Sequence, residues 1–233
     1  MTDQEAAALG AAALAEVEPG HVVGLGTGQA ATAFILALGK AVKEGLRVTG
    51  VATSEASASL ARRLGIPLID EPVALDVAVD GADEVDPRLD LIKGYGGALV
   101  REKIVAAAAR RFIVLVGGEK LVPALGARGR LPVEVVPFAA PFCRRRLTEL
   151  GYPPTLRLQG GTAVVTDNAN LILDAAVTSI PDAAGLDRAL REIPGVVGTG
   201  LFVNMAHHVL VWEDGAARTL TSGKGLPSRG GAP

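Results

Sequence analysis

From Val22 onward the chain repeats one unit: a short, almost wholly apolar segment, a turn of glycines or hydroxyls, then a run with helical spacing. Segments 22–25, 48–52, 73–79 and 112–116 read as strands, with helices over 29–42, 55–64 and 98–111 between them. Strands this apolar must be covered on both faces, and strands joined through helices run parallel. The pattern therefore specifies an α/β fold, a mostly parallel Rossmann-like sheet with helices on both faces. Ahead of the sheet, Thr2 and Glu5 have capping-box spacing, which predicts an amphipathic surface helix over 3–17, ended by Pro19-Gly20.

After residue 126 the order changes. Strands are expected at 132–136, 155–159, 162–166 with 171–174, and from 196, and helices at 139–150 and 182–192. That is the β-α-β-β-α-β order of a smaller ferredoxin-like α+β domain. The expected division gives residues 1–126 and 202–233 to the Rossmann-like catalytic domain and 127–201 to the small one. The last strands, 201–204 and 208–212, are expected to rejoin the first sheet, and the Gly/Pro-rich tail from Gly223 to be mobile.

Composition narrows the function. Lys and Arg total 23 against 25 Asp and Glu, a net charge of −2, so no basic surface is available to carry affinity for nucleic acid. Aromatic residues are 3% of the chain, too few for base-stacking platforms. The single cysteine, Cys143, excludes an internal disulfide and a multi-thiolate metal site, and it points to a reducing, cytoplasmic compartment. The longest apolar run, 6–17, is too short to cross a bilayer and is broken by Gly10 and Glu16. A small-molecule site is expected, with neither nucleic acid nor membrane as partner.

In such sheets ligands bind beyond the carboxyl ends of the strands. That rule collects Gly26, Thr27, Gly28 and Gln29, then Thr53 and Ser54, then Asp80, Gly81, Ala82 and Asp83, and finally 117–120 with Lys120. The glycine turn at 26–28 hands a strand to a helix, so backbone N–H groups and the helix dipole can hold an anion. Gly26 to Ala31 also fits a relaxed dinucleotide pattern. The next strand, however, ends in two hydroxyls where a ribose-binding acid belongs. Hydroxyls beside glycines suit phosphate. Of the acids at 80–86, Asp80 and Asp83 open onto the rim and suit sugar hydroxyls, whereas Glu84 and Asp86 read as turn caps. The spacing does not fit a calcium loop, because Ala82 stands where an oxygen ligand is required.

Stretch 93–103 is the most informative. Gly94, Gly96 and Gly97 let backbone approach a ligand and then start a helix, and Lys93 and Tyr95 sit within that turn. Glu102 lies one turn into the helix. Its neighbours at three and four residues are Ala98, Leu99, Val105 and Ala106, none of them basic, so it is either buried at a cost or used. Two rivals remain at this point: a sugar-phosphate sensor without turnover, and a dinucleotide enzyme.

The residues resemble the ribose-5-phosphate isomerase family, type A. The resemblance rests on the runs 24–28, 53–54, 80–84, 93–103, 131–135, 165–168 and 193–197, in order along essentially the whole chain. It implies interconversion of ribose 5-phosphate and ribulose 5-phosphate in the pentose phosphate pathway, with no metal and no organic cofactor, and a homodimer. It further implies that Glu102 is the proton acceptor and that Asp80, Asp83 and Lys93 line the sugar. The turn at 27–30 and Lys120 would hold the phosphate end. The chain departs from the family where Gln29-Ala30 replaces Ser-Thr, which leaves backbone N–H groups without two hydroxyls, and where Tyr95 replaces a common glycine. The helix N-terminus is expected to keep Glu102 ionised at neutral pH.

Overall fold

The computed structural model describes residues 1–72 and 74–221. Helix α1 (Asp3–Leu14) leads through β1 (Val22–Leu25), α2 (Gln29–Lys43), β2 (Thr49–Ala52) and α3 (Glu55–Leu64) to β3 (Leu75–Gly81). Two short strands, β4 (Glu84–Val85) and β5 (Leu91–Ile92), precede α4 (Leu99–Ala108) and β6 (Ala109–Gly117). Then come β7 (Arg130–Val135), α5 (Ala140–Glu149), β8 (Pro154–Leu156), β9 (Leu158–Gln159), β10 (Thr162–Ala163), β11 (Leu171–Ala176), α6 (Ala183–Arg191) and β12 (Val196–Thr199). The described chain closes with β13 (Leu201–Phe202), β14 (His208–Glu213) and β15 (Ala216–Thr221).

The main sheet has the order β15-β14-β6-β3-β1-β2, parallel throughout except for the β14–β15 pair. Its strands alternate between two cores, as a period of two requires. Val79 and Ile113 face Phe34, Ile35 and Leu38 of α2, while Ala78, Phe112 and Val114 face Val105 of α4 and Phe202. Asp80 follows Ala78 by two residues and so falls on the α4 side. The second sheet, β12-β7-β11-β8, is antiparallel throughout and shares a third core with Cys143, Leu147 and Leu190 of α5 and α6. That order and connectivity make it a ferredoxin-like α+β unit. Among the described residues no helix is long and apolar enough to cross a membrane.

Several boundaries differ from expectation for physical reasons. α1 stops at Leu14, three residues early, because Ala15, Glu16 and Val17 donate to carbonyls three residues back and tighten the last turn. The helix expected to run to residue 111 ends at Ala108, and Ala109 already pairs with Leu75 in the sheet. Of the two strands expected to rejoin the main sheet, only β14 does; β13 pairs antiparallel with β5 instead. The segment expected as one strand over 155–159 divides into β8 and β9. β3 runs on through Asp80 and Gly81, a poor strand sequence that pairing with β6 holds extended. Val73 and the tail from Gly223 lie outside the described residues.

Candidate active site

Strands β1, β2, β3 and β6 are parallel, so their carboxyl ends form one rim, and the cleft there is walled by segments far apart in sequence. Of the residues expected to bind, Thr27, Gly28, Gln29, Ala30, Gly81, Ala82, Asp83, Lys93, Gly94, Gly96, Glu102 and Lys120 line it. The other five lie behind this lining.

At the floor, Lys93 is 3% exposed and bound by three oxygen groups. Its Nζ lies 3.0 Å from Asp80 Oδ2, donates to the Gly81 carbonyl at 2.5 Å, and lies 3.4 Å from Glu102 Oε2. The last contact is close enough for charge attraction but not aligned as a hydrogen bond, which leaves Glu102 Oε2 buried with no donor among the described residues. Glu102 is 4% exposed, so it is buried and aimed at the cluster rather than at bulk water. The cation that its helix does not place three or four residues away comes from the glycine turn. Asp80 spends Oδ1 on the N–H groups of Thr27 (3.0 Å) and Gly81 (2.7 Å), so it anchors the lysine beneath the cleft surface.

Burial pushes the Glu102 carboxyl up to about 8; Lys93 opposes this and Asp80 adds to it. The expectation that the helix N-terminus keeps Glu102 ionised at neutral pH is thereby corrected: desolvation of a fully enclosed carboxylate outweighs the dipole of one turn. Asp80 is raised too, by burial first, against the pull of Lys93. For Lys93 burial acts downward, but Asp80 and Glu102 together overcome it and hold the ammonium above its ordinary range.

Thr53 and Ser54 are buried and do not reach the cleft. Their hydroxyls meet Thr27 Oγ1 at 2.7 and 2.9 Å, and Ser57 Oγ donates to the Gly26 carbonyl at 2.6 Å. They brace the glycine turn from behind. Tyr95 also faces away: its N–H donates to Asp83 Oδ2 at 2.9 Å, its hydroxyl donates to the Arg130 carbonyl, and the Arg130 guanidinium stacks on its ring. Glu84 is bound by the N–H groups of Gly126 and Arg128, and Asp86 by those of Arg88 and Asp90, as turn-capping acids. Gly26 is forced by contact, because a Cβ there would stand 2.3 Å from the Asp80 carboxyl. Gly26→Ala is expected to displace Asp80, and with it the Lys93 that Asp80 holds, and to lower kcat/KM by about 10²-fold, the usual result of misplacing a site group by an ångström. Steady-state kinetics at the parent value would show that the turn tolerates a methyl group.

The family model for ribose 5-phosphate isomerase A (phosphoriboisomerase A) matches residues 49–215. Ribose-5-phosphate isomerase A of Thermomicrobium roseum is 51% identical over 221 residues, 93% of this chain and 92% of that protein. The chain belongs to the ribose 5-phosphate isomerase A family. The family's solved structures share its fold. The enzyme of Methanocaldococcus jannaschii superposes with a TM-score of 0.90 at 39% identity, covering 95% of this chain and 100% of that one. A ribose-5-phosphate isomerase solved with phospho-erythronic acid gives 0.88 at 39%, with the same coverage.

Gln29 Nε2 donates to Asp3 Oδ1 at 2.8 Å and so ties α2 to α1. Met1 and Glu119 also line the cleft, paired at 3.2 Å, and sequence reasoning gave neither of them a role. Arg157 and Asp174 were missed as well. Their only signal was one charged residue in each of the expected strands at 155–159 and 171–174, and nothing local says which loop the arginine reaches.

Proposed function

We propose that this chain interconverts D-ribose 5-phosphate and D-ribulose 5-phosphate through an enediolate, with Glu102 as the proton-transferring base. The observation that carries the reading is the buried Glu102 carboxylate, 3.4 Å from Lys93 and lining the same cleft as Asp83. In the open aldose, Glu102 takes the proton from carbon 2. The C–H electrons form the C1=C2 bond, and the charge moves to the carbonyl oxygen, where Lys93 and glycine-turn N–H groups stabilise it. Transfer of the carbon-2 hydroxyl proton to the carbon-1 oxygen, with return of the proton from Glu102 to carbon 1, gives the ketone. Asp83, at the cleft surface, accepts the anomeric hydroxyl proton on ring opening, and the buried Asp80 holds Lys93. The N–H groups at 27–30 and Lys120 take the phosphate. The neighbour bound to phospho-erythronic acid supports this reading, since that ligand joins a phosphate to a carboxylate shaped like an enediolate end.

The wider setting is the non-oxidative branch of the pentose phosphate pathway in the cytoplasm, without metal or organic cofactor. The domains divide as 1–126 with 202–233, and 127–201. A homodimer is supported by the exposed apolar side chains of the small unit, Phe138 at 96% and Leu158 at 56%.

The test is incubation with ribose 5-phosphate in D2O containing a chelator. Ketose should appear with deuterium on carbon 1, and kcat/KM should fall below a midpoint near pH 8 as Glu102 takes up its proton. A sensor and a dinucleotide enzyme both predict no ketose.

A further inference from the structure

The glycine turn that carries Lys93 is held from the other unit. Arg157, between β8 and β9, is 9% exposed at its side chain, and its Nη1 donates to the carbonyls of Gly94 at 2.7 Å and Tyr95 at 3.1 Å. The rest of the guanidinium is engaged by Asp174 of β11, with Nε on Oδ2 at 2.9 Å and Nη2 on Oδ1 at 2.5 Å. Asp174 is 8% exposed at its side chain, so this is a desolvated, bidentate pair with one guanidinium nitrogen left over for the turn.

A trans peptide is planar, with its C=O and N–H pointing opposite ways. Fixing a carbonyl therefore fixes the direction of the N–H that shares its plane. The Gly94–Tyr95 peptide illustrates it: the carbonyl meets Arg157 while the N–H meets Asp83 at 2.9 Å. By the same geometry, the Tyr95 carbonyl on Arg157 turns the Gly96 N–H away from the arginine, and Gly96 lines the cleft. Gly94 has φ +101°, a conformation open to few residues other than glycine, so the turn has no side chain of its own there to hold its shape.

We propose that Arg157, locked by Asp174, is a positioning residue for catalysis: from the small unit it orients the Gly94–Gly96 peptides so that Asp83 and the Gly96 N–H face the reacting end of the sugar. This rests on the enediolate reading above. Arg157 touches no substrate. It acts on the reacting end, whereas the phosphate end is held at 27–30 and Lys120.

The experiment compares Arg157→Lys, Arg157→Ala and Asp174→Asn with the parent in kinetics, melting temperature and affinity for erythronate 4-phosphate and for inorganic phosphate. Lysine keeps a charge beside Asp174, but its single nitrogen cannot hold that carboxylate from two sides and reach both carbonyls at once. In folded Arg157→Lys, kcat should fall about 10–100-fold with KM within about threefold, because misplacement of an oriented donor costs turnover rather than uniform binding. Affinity for erythronate 4-phosphate should fall in step with kcat/KM, that for inorganic phosphate should hold, and the acid limb should keep its midpoint. Parent-like kcat in folded Arg157→Lys and Arg157→Ala overturns the proposal, as does a rise in KM alone. Failure of Arg157→Lys to fold also overturns it, since the arginine would then hold the fold rather than the turn. Failure of the enediolate reading itself is separate: it would show as absent deuterium on carbon 1 in the parent, whatever position 157 does.

Discussion

Glu102→Gln is expected to lower kcat by about 10²–10⁴-fold, the worth of a general base, with KM changed no more than about threefold. The amide keeps the shape and burial of the side chain, and in the proposed reading the phosphate end binds elsewhere in the cleft, so ground-state binding has little reason to move. Stability supplies an independent check. The carboxyl is raised from 4.5 to about 8 in the folded chain, so the folded state binds more protons than the unfolded one between those values. The contribution of this group is therefore fully present below about pH 4.5 and is lost as pH rises through about 8. Glutamine has no such slope. The melting temperature of Glu102→Gln relative to the parent should consequently climb from pH 5 to pH 9. Turnover within threefold of the parent would remove the residue from the mechanism, and a gap in melting temperature that narrows with pH would contradict its buried, reluctant ionisation.

The parts of the fold that were legible in the sequence are those governed by local rules. β1 and α3 fall at the expected 22–25 and 55–64; in the structure the Ser54 side chain caps α3 and Gly65 stops it in the left-handed region, both decided within a few residues. The capping box of Thr2 and Glu5 forms for the same reason. What escaped the sequence was set by pairing at a distance. β4, β5 and β13 are two residues each and exist because Leu91 and Ile92 meet partners on both sides, Glu84–Val85 and Leu201–Phe202. Alanine-rich 98–111 reads as one helix by propensity, yet its last residues are pulled into β6 beside β3.

The site divides along the same line. Glu102 stood out because its helix places no cation three or four residues away, a local observation. That Lys93 supplies the charge across the cluster, that Asp80 lies beneath rather than in the cleft, and that Thr53 and Ser54 face the back of the turn are all consequences of packing. Rim position, read from topology, says which residues come near a ligand but not which atoms face it. The guanidinium of Arg157 is the extreme case, crossing from one unit to carbonyls in the other with no periodicity to announce it.

The second large effect is expected at Lys93. Lys93→Met removes the one cation shared by Asp80 and Glu102, both under 5% exposed, and leaves two carboxylates in a desolvated pocket. Breaking a buried pair from one side costs about 3–5 kcal/mol, and at about 2–4 °C per kcal/mol for a chain of this size the melting temperature should drop by about 6–20 °C at pH 8. kcat should fall by at least about 10²–10³-fold through loss of the proposed oxyanion donor. The sign with pH follows from the carboxyls, already raised by burial in the parent and raised further without the ammonium. Both are neutral in acid, so the stability deficit should shrink toward pH 5 and widen as pH rises. The double variant Lys93→Met with Glu102→Gln then separates charge from packing. Removing one of the two stranded acids should return part of the lost melting temperature, although it restores no activity. If the double variant is no more stable at pH 8 than Lys93→Met alone, the cluster is not held by the charge balance that its geometry describes, and Lys93 matters chiefly for how it packs against Phe202.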